Sequence, residues 1–321
     1  MAPQPHDDIA SQLEQEVREV DLDIREGRFQ RWLALIAGLS GVLSGIEVTT
    51  EHYRGSYSRR IMYTPVALGG AMLVGGCAGF ASRKAARTVL PVVSVVTIVD
   101  SVVGFYFHVN GVNRKPGGWR LPITNMVMGP PVFAPLLFAL SAYLGFIASF
   151  LRRGEGDAGG GLPKPTHAEH WARPLAGAHE PIGWEQDIRE GRFQKQMAAA
   201  TVIAAFLSGF EAWYSHYKNN FRYKVQWTPL ITAPLLMLAG AGAVVDKRVA
   251  QTWLPAASAL AIANGTIGFF YHVRGVGRRA GGTKKLFYNI IYGPPAFAPL
   301  LFAASGSLGL LASVLRRKGE K

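Results

Sequence analysis

Four histidines offer the clearest chemistry in this chain. His52, His108, His216 and His272 lie within or at the ends of long apolar runs, whereas His6, His167, His170 and His179 fall in polar segments. An ionisable group inside an apolar span is costly and marks function by default. The four also form two matched pairs, because His52 and His108 recur 164 residues later as His216 and His272. Within a pair, the two residues close apolar runs that run in the same direction, so both imidazoles sit at one depth on two different helices. That arrangement suits axial ligation on opposite faces of one planar macrocycle, and a b-type haem is the cofactor expected in each half. Aromatic residues border the second member of each pair: Phe105, Tyr106 and Phe107, then Phe269, Phe270 and Tyr271. Small residues on the same runs (Gly38, Gly41, Ser44, Gly45 and Gly104) allow helices to approach closely or leave room for a flat ring.

Carboxylates accompany the histidines. Glu47 and Glu211 occupy matched positions inside the first run of each half. A carboxyl group within a membrane is a vehicle for protons, so both are candidates for proton transfer to a quinone or along a transport path. Asp100 has Asn264 as its counterpart. Glu47, His52, Asp100, His108 and Glu211 are also the ligand types of non-haem iron, copper or manganese sites. Two facts weigh against that rival. Glu47 and His52 stand about 140° apart around a helix, and Asp100 lies about 12 Å deeper than His108.

The elements that must position these groups follow from a repeat. Asp23-Ile24-Arg25-Glu26-Gly27-Arg28-Phe29-Gln30 returns unchanged from Asp187 to Gln194, and Gly129-Pro130-Pro131 returns as Gly293-Pro294-Pro295. No insertion or deletion interrupts the register. Each unit holds four apolar runs of about 20 residues, the length that crosses a hydrocarbon core. They are expected over 31–53, 62–82, 88–109 and 130–151, and over 195–217, 226–245, 252–273 and 294–315. The fold class is therefore all-α integral membrane: eight transmembrane helices as a tandem duplication of a four-helix bundle. An even number of crossings per unit makes the repeats parallel. The organisation is a tail with an amphipathic helix over 1–30, a first repeat over 31–153, a Gly/Pro-rich linker over 154–184 and a second repeat over 185–321.

Composition agrees with this reading. The chain is 49% hydrophobic and only 17% charged, against about 25% charged in soluble domains. A single cysteine, Cys77, excludes an internal disulfide, an all-cysteine iron–sulfur cluster and a haem c attachment motif. Walker A, GxSxG, HExxH and GxGxxG patterns are absent, so no hydrolytic or nucleotide-driven chemistry is indicated.

Charge distribution orients the site. The end of the bundles that carries the histidines has fourteen Lys and Arg against Glu51 as its one loop-edge acid. Arg54, Arg59, Arg60, Arg114, Lys115 and Arg120, with Arg278 in the second half, make a basic face. It suits haem propionates, anionic lipid or an acidic redox protein such as a cytochrome. Nucleic acid is not implied. The opposite end, with both termini and the linker, carries twenty Lys and Arg. It is expected on the cytoplasmic side of the plasma (inner) membrane. The GPPxFAPLLFA segment is expected to start the fourth helix at Pro130-Pro131, after an interfacial stretch over 121–129 that contains Asn125; Asn289 is its counterpart. Both asparagines are candidates for a quinone or propionate contact. In general plan the arrangement is similar to the haem-bearing, quinone-reactive membrane subunits of respiratory oxidoreductases. The alternative function is a proton- or cation-coupled transporter working through Glu47 and Glu211.

Overall fold

The computed structural model describes residues 28–151 and 192–316. The linker over 154–184, and the tail over 1–30 except its last three residues, lie outside the described residues. Within them the chain is all-helical. The first half runs α1 (Arg28–Arg54), α2 (Thr64–Ala81), α3 (Arg83–Asn113), a short α4 (Pro122–Val127) and α5 (Ala134–Leu151). The second half runs α6 (Arg192–Lys218), α7 (Thr228–Val245), a short α8 (Lys247–Gln251), α9 (Trp253–Gly277), a short α10 (Leu286–Tyr292) and α11 (Ala298–Arg316).

Local chemistry sets the boundaries. Pro65 and Pro229 enter the first turns of α2 and α7, where a missing N–H costs nothing. The Ser82 hydroxyl accepts from the Ala85 N–H to start α3, and the Asp246 carboxylate accepts from the Arg248 N–H at 2.7 Å to start α8. α3 is longer than the expected 88–109 because the basic Arg83–Arg87 turn and the Asn110–Asn113 turn both stay helical. In the second half the matched stretch breaks at Thr252. Pro255 lies in the first turn of α9, where its missing N–H is tolerated, and proline alone does not set the break. Pro91 occupies the same place inside the unbroken α3.

Six helical stretches are long and apolar enough to cross a membrane by length and composition: Gln30–Arg54, Arg60–Ala81, Arg83–Asn113, Phe193–Lys218, Lys224–Val245 and Trp253–Gly277. The two others expected to cross are shorter apolar helices, Ala134–Ser149 and Ala298–Ser313. Their start differs from the expected Pro130-Pro131 and Pro294-Pro295. Consecutive prolines disfavour helical backbone at the residue before each ring, and the helix begins at Ala134 and Ala298, with Pro135 and Pro299 in its first turn.

In each half the four long helices pack in a ring, each on its chain neighbour and the last on the first: α1, α2, α3 and α5, then α6, α7, α9 and α11. The two rings meet crosswise, with α5 against α6 and α11 against α1. One apolar cluster runs through both, from Leu33, Met72 and Leu90 to Met197, Leu236 and Phe302. The outward faces are also apolar. On α3, Val92, Val95, Val99 and Val102 are exposed, a pattern suited to contact with lipid rather than water.

Candidate functional site

The histidines gather at the mouths of the two rings. His52 sits in the last turn of α1 and His108 near the end of α3, and these helices stand at opposite corners of the first ring. His216 on α6 and His272 on α9 repeat the arrangement. Each imidazole is tied the same way, by donating its Nδ1–H to a backbone carbonyl. His52 bonds Met62 at 2.7 Å and His216 bonds Gln226 at 2.8 Å. His108 bonds Pro131, and His272 bonds Pro295. A carbonyl only accepts, so every ring must carry its proton on Nδ1. The lone pair then lies on Nε2, the tautomer in which a histidine ligates a metal while a second-shell carbonyl orients it.

Sequence explains why those carbonyls are available. The GPP turn cannot form a helix, so its carbonyls lack helical partners. Gly104, His108 and Gly111 share one face of α3, and the GPP segment lies on that face. A Cβ at Gly104 would stand 3.3 Å from Pro135, and one at Gly111 would stand 2.9 Å from Pro130. Gly268 and Gly275 meet Pro299 and Pro294 in the same way. The prolyl turn is thus laid across the α3 and α9 glycines, with a histidine between them to hold it.

In the second half the His216 and His272 rings stand 6.5 Å apart, centroid to centroid, with 68° between their planes. Two imidazoles binding one metal ion from opposite sides, each at about 2.0 Å, place their centroids about 6.4 Å apart. An aromatic lid leans on the first histidine of each pair. Tyr57 meets His52 edge-on at 6.0 Å and stacks on Tyr63 at 4.3 Å; Phe221 meets His216 at 6.2 Å and stacks on Trp227 at 4.2 Å. To reach there the chain adopts left-handed backbone at Ser56-Tyr57 and Asn220-Phe221, with φ of 58°, 45°, 49° and 45°. For aromatic side chains that backbone is strained.

The glycines on α1 serve packing. A Cβ at Gly38 would stand 3.0 Å from the Gly76 Cα, and one at Gly45 would stand 3.0 Å from the Gly69 Cα. These residues join α1 to α2 backbone on backbone.

The carboxylates are placed elsewhere. Glu47 accepts the Phe297 N–H at 2.5 Å, and Glu211 accepts the Phe133 N–H at 2.9 Å. Each glutamate therefore reaches into the other half and caps the start of its last helix, where unpaired N–H groups and the helix dipole favour a negative charge. Arg54 strengthens the same seam. It donates to the Ile291 and Gly293 carbonyls, the latter at 2.9 Å, and pairs with Glu51 at 2.7 Å. Asp100 accepts from the Thr64 hydroxyl at 2.5 Å and ties α3 to α2.

Asn125 and Asn289 are buried, and both fold back on the Gly-Gly turn. Asn125 donates to Pro116 and Gly118 at 3.0 and 2.7 Å, and Asn289 donates to Gly282 at 3.0 Å. Those turns need Gly117 and Gly281, at φ of 79° and 86°. Arg114 and Arg278 are exposed just beyond α3 and α9. Among the described residues no three His, Cys, Asp or Glu side chains come together as a metal-binding group.

The backbone partners of the histidines and the crossed glutamate caps were missed from sequence. The prolines and glycines flanking each histidine were the available signal for the first; nothing local announced the second. Compared with protein-family models, with curated proteins and with solved structures, the chain finds no match.

Proposed function

We propose that this protein is an integral-membrane electron-transfer subunit that holds a b-type haem between the paired histidines of each repeat and exchanges electrons with quinone or a cytochrome. The observation that carries the reading is the His216–His272 pair. Its rings stand at a bis-imidazole separation, and each is fixed by its Nδ1–H so that Nε2 is left to ligate. A two-histidine donor set suits an iron whose equatorial positions come from a porphyrin. It is a poor match to a non-haem ion, which needs more ligands from the chain. The haem supplies the one-electron chemistry. His52 with His108, and His216 with His272, would hold it through their Nε2 atoms, with the carbonyls that orient the rings, the aromatic lids and the arginines at the mouth around it.

The finer architecture belongs to the same proposal. The matching helix order of the two halves, at a constant 164-residue offset, supports a tandem duplication of parallel four-helix units. α5 and α11, with their prolyl entry segments, would complete eight crossings. All four histidines then open on one face of the plasma membrane, opposite the face that holds the termini.

The test is a visible spectrum with metal analysis of the purified protein. The expected result is a Soret band with iron in near twofold stoichiometry. Absence of porphyrin, or haem content unchanged in a double His108→Ala/His272→Ala variant, overturns the proposal. Proteoliposome flux lost in Glu47→Gln but kept in His52→Ala would favour proton- or cation-coupled transport instead.

A further inference from the structure

The segment that joins α3 to α5, and its counterpart between α9 and α11, changes character within a few residues. Each begins with cations, Arg114-Lys115 and Arg278-Arg279, and carries more on a tight turn, Arg120 in one half and Lys284-Lys285 in the other. Arg120, Lys284 and Lys285 are exposed. The chain has no Asp or Glu from 101 to 154 or from 247 to 319, so neither segment holds an acid to neutralise them. Large apolar side chains follow at once and face outward: Leu121 and Ile123 at α4, then Leu286, Phe287 and Tyr288 on α10. Phe287 is 73% exposed. Such neighbours form an apolar patch rather than a scattered exposed residue.

Depth follows from the packing. Gly118 lies against the Asn113 carbonyl, so the cationic turn is level with the end of α3. Pro130 lies on Gly111 and Pro135 on Gly104, and Gly104 precedes Asn113 by about 13 Å of helix rise. The chain thus descends beside α3 before α5 begins, with cations at the top and apolar side chains below. The asparagine staples hold that order, Asn125 on Pro116 and Gly118, and Asn289 on Gly282. The halves differ in residue but keep the class: Arg120 is matched by Lys284, Ile123 by Phe287 and Met128 by Tyr292. All six are exposed, so internal packing does not demand those classes.

We infer that 114–128 and 278–292 are two matched interfacial anchors for anionic phospholipid, one on each half. The cations take the headgroup phosphate, and the apolar side chains enter the acyl boundary beneath it. The inference does not rest on the haem reading. An acidic protein would satisfy the cations but leave Ile123 and Phe287 in water. A lipid leaflet satisfies both, because charge and apolar contact occur there in the same vertical order.

The experiment is lipid titration of the purified full-length protein in neutral detergent, with bound lipids counted by native mass spectrometry. The probes are dioleoylphosphatidylglycerol, dioleoylphosphatidylcholine and glycerol 3-phosphate. Wild type should hold phosphatidylglycerol about tenfold or more tighter than phosphatidylcholine, at two saturable sites, without competition from glycerol 3-phosphate. Arg120→Gln with Lys284→Gln and Lys285→Gln should weaken phosphatidylglycerol by about fivefold per cation removed and leave phosphatidylcholine unchanged. Ile123→Ser with Phe287→Ser should weaken both lipids alike. If the triple variant does not fold, Lys284→Gln alone reads one site. Equal affinity of wild type for the two lipids, or a preference unchanged in the cation variants, overturns the anchors. Competition by glycerol 3-phosphate would mark a soluble-phosphate site, and binding of polyglutamate in place of lipid a protein dock; either result overturns the lipid assignment.

Discussion

The two halves of the molecule solve one packing problem in two ways. In the first half, α1 and α2 meet through glycines, with Gly38 on Gly76 and Gly45 on Gly69. In the second half, Val202 stands where Gly38 does and packs against Gly240, while Ala233 fills the place of Gly69 against Gly209. A methyl or isopropyl group on one helix replaces backbone contact on the other. The polar ties diverge in a similar way. Asp100 takes the Thr64 hydroxyl, whereas Asn264 takes the Thr228 hydroxyl and also donates to Thr232 at 2.7 Å. The extra bond follows from chemistry. A carboxylate has no proton to give, but an amide has two and needs an acceptor, and Thr232 supplies one where the first half has Leu68. The carbonyl-anchored histidines, the crossed glutamates, the glycine–proline contacts and the asparagine staples do not diverge. Helix contacts accept many side-chain combinations, but a loop carbonyl deprived of its helical partner accepts very few.

The largest effect that would break this comparison is at the histidines. With haem bound, His108→Ala should remove the cofactor of the first half and His272→Ala that of the second. Each single variant should keep about half the Soret absorbance per chain and the double variant none. Equal loss of both haems in either single variant would mean that the halves do not bind independently.

Next come the glycines. Alanine at Gly76 would put its Cβ 2.6 Å from the Ala34 carbonyl oxygen and 2.7 Å from the Gly38 Cα, both backbone. Gly76→Ala should therefore destabilise by about 1–3 kcal/mol. At Gly240 the nearest atom is the Val202 side chain at 2.9 Å, which can shift, so Gly240→Ala should cost clearly less. Thermal unfolding in detergent compares them, and equal losses would show that the halves pack more alike than their residues suggest.

The crossed caps should give about 1–2 kcal/mol each. Glu47→Leu is expected to speed hydrogen exchange at the Phe297 amide and Glu211→Leu at the Phe133 amide, each at the far side of the seam. Gln at either position, which keeps an accepting oxygen, should be milder. Exchange that quickens within the variant's own half instead would refute the crossing.

The smallest effect sharpens the polar difference. A double-mutant cycle between Asn264 and Thr232 should give a coupling of about 0.6 kcal/mol. Asp100→Asn combined with Leu68→Thr should create a similar coupling in the first half, and Asp100→Asn alone should not.

Much of the fold was legible from sequence because hydrophobic length and a repeated spelling are local signals. The long apolar runs and the matched histidine depths needed nothing beyond counting. Glu47 shows where that reasoning ends. Its position within a span was visible, but its partner is the Phe297 amide 250 residues away, and an N–H group has no spelling of its own. Asn125 looked like a ligand contact because it recurs before a helix; its amide is used within its own loop, closing on Gly118. The prolines were recognised as helix breakers, yet the delay of α5 to Ala134 depends on how the turn lies across α3.

What the sequence determined by itself is an all-helical chain with long apolar helices in two matched sets, each with imidazoles at one end. Those features depend on residue type and spacing along one chain direction. Only the tertiary structure decided which nitrogen of each imidazole is committed, that the glutamates cap helices in the opposite half, and that Phe133 meets Phe210 across the seam between the halves. Those outcomes depend on which backbone groups are left unpaired where segments distant in the chain meet, and hydrogen bonding and close contact act only at that range.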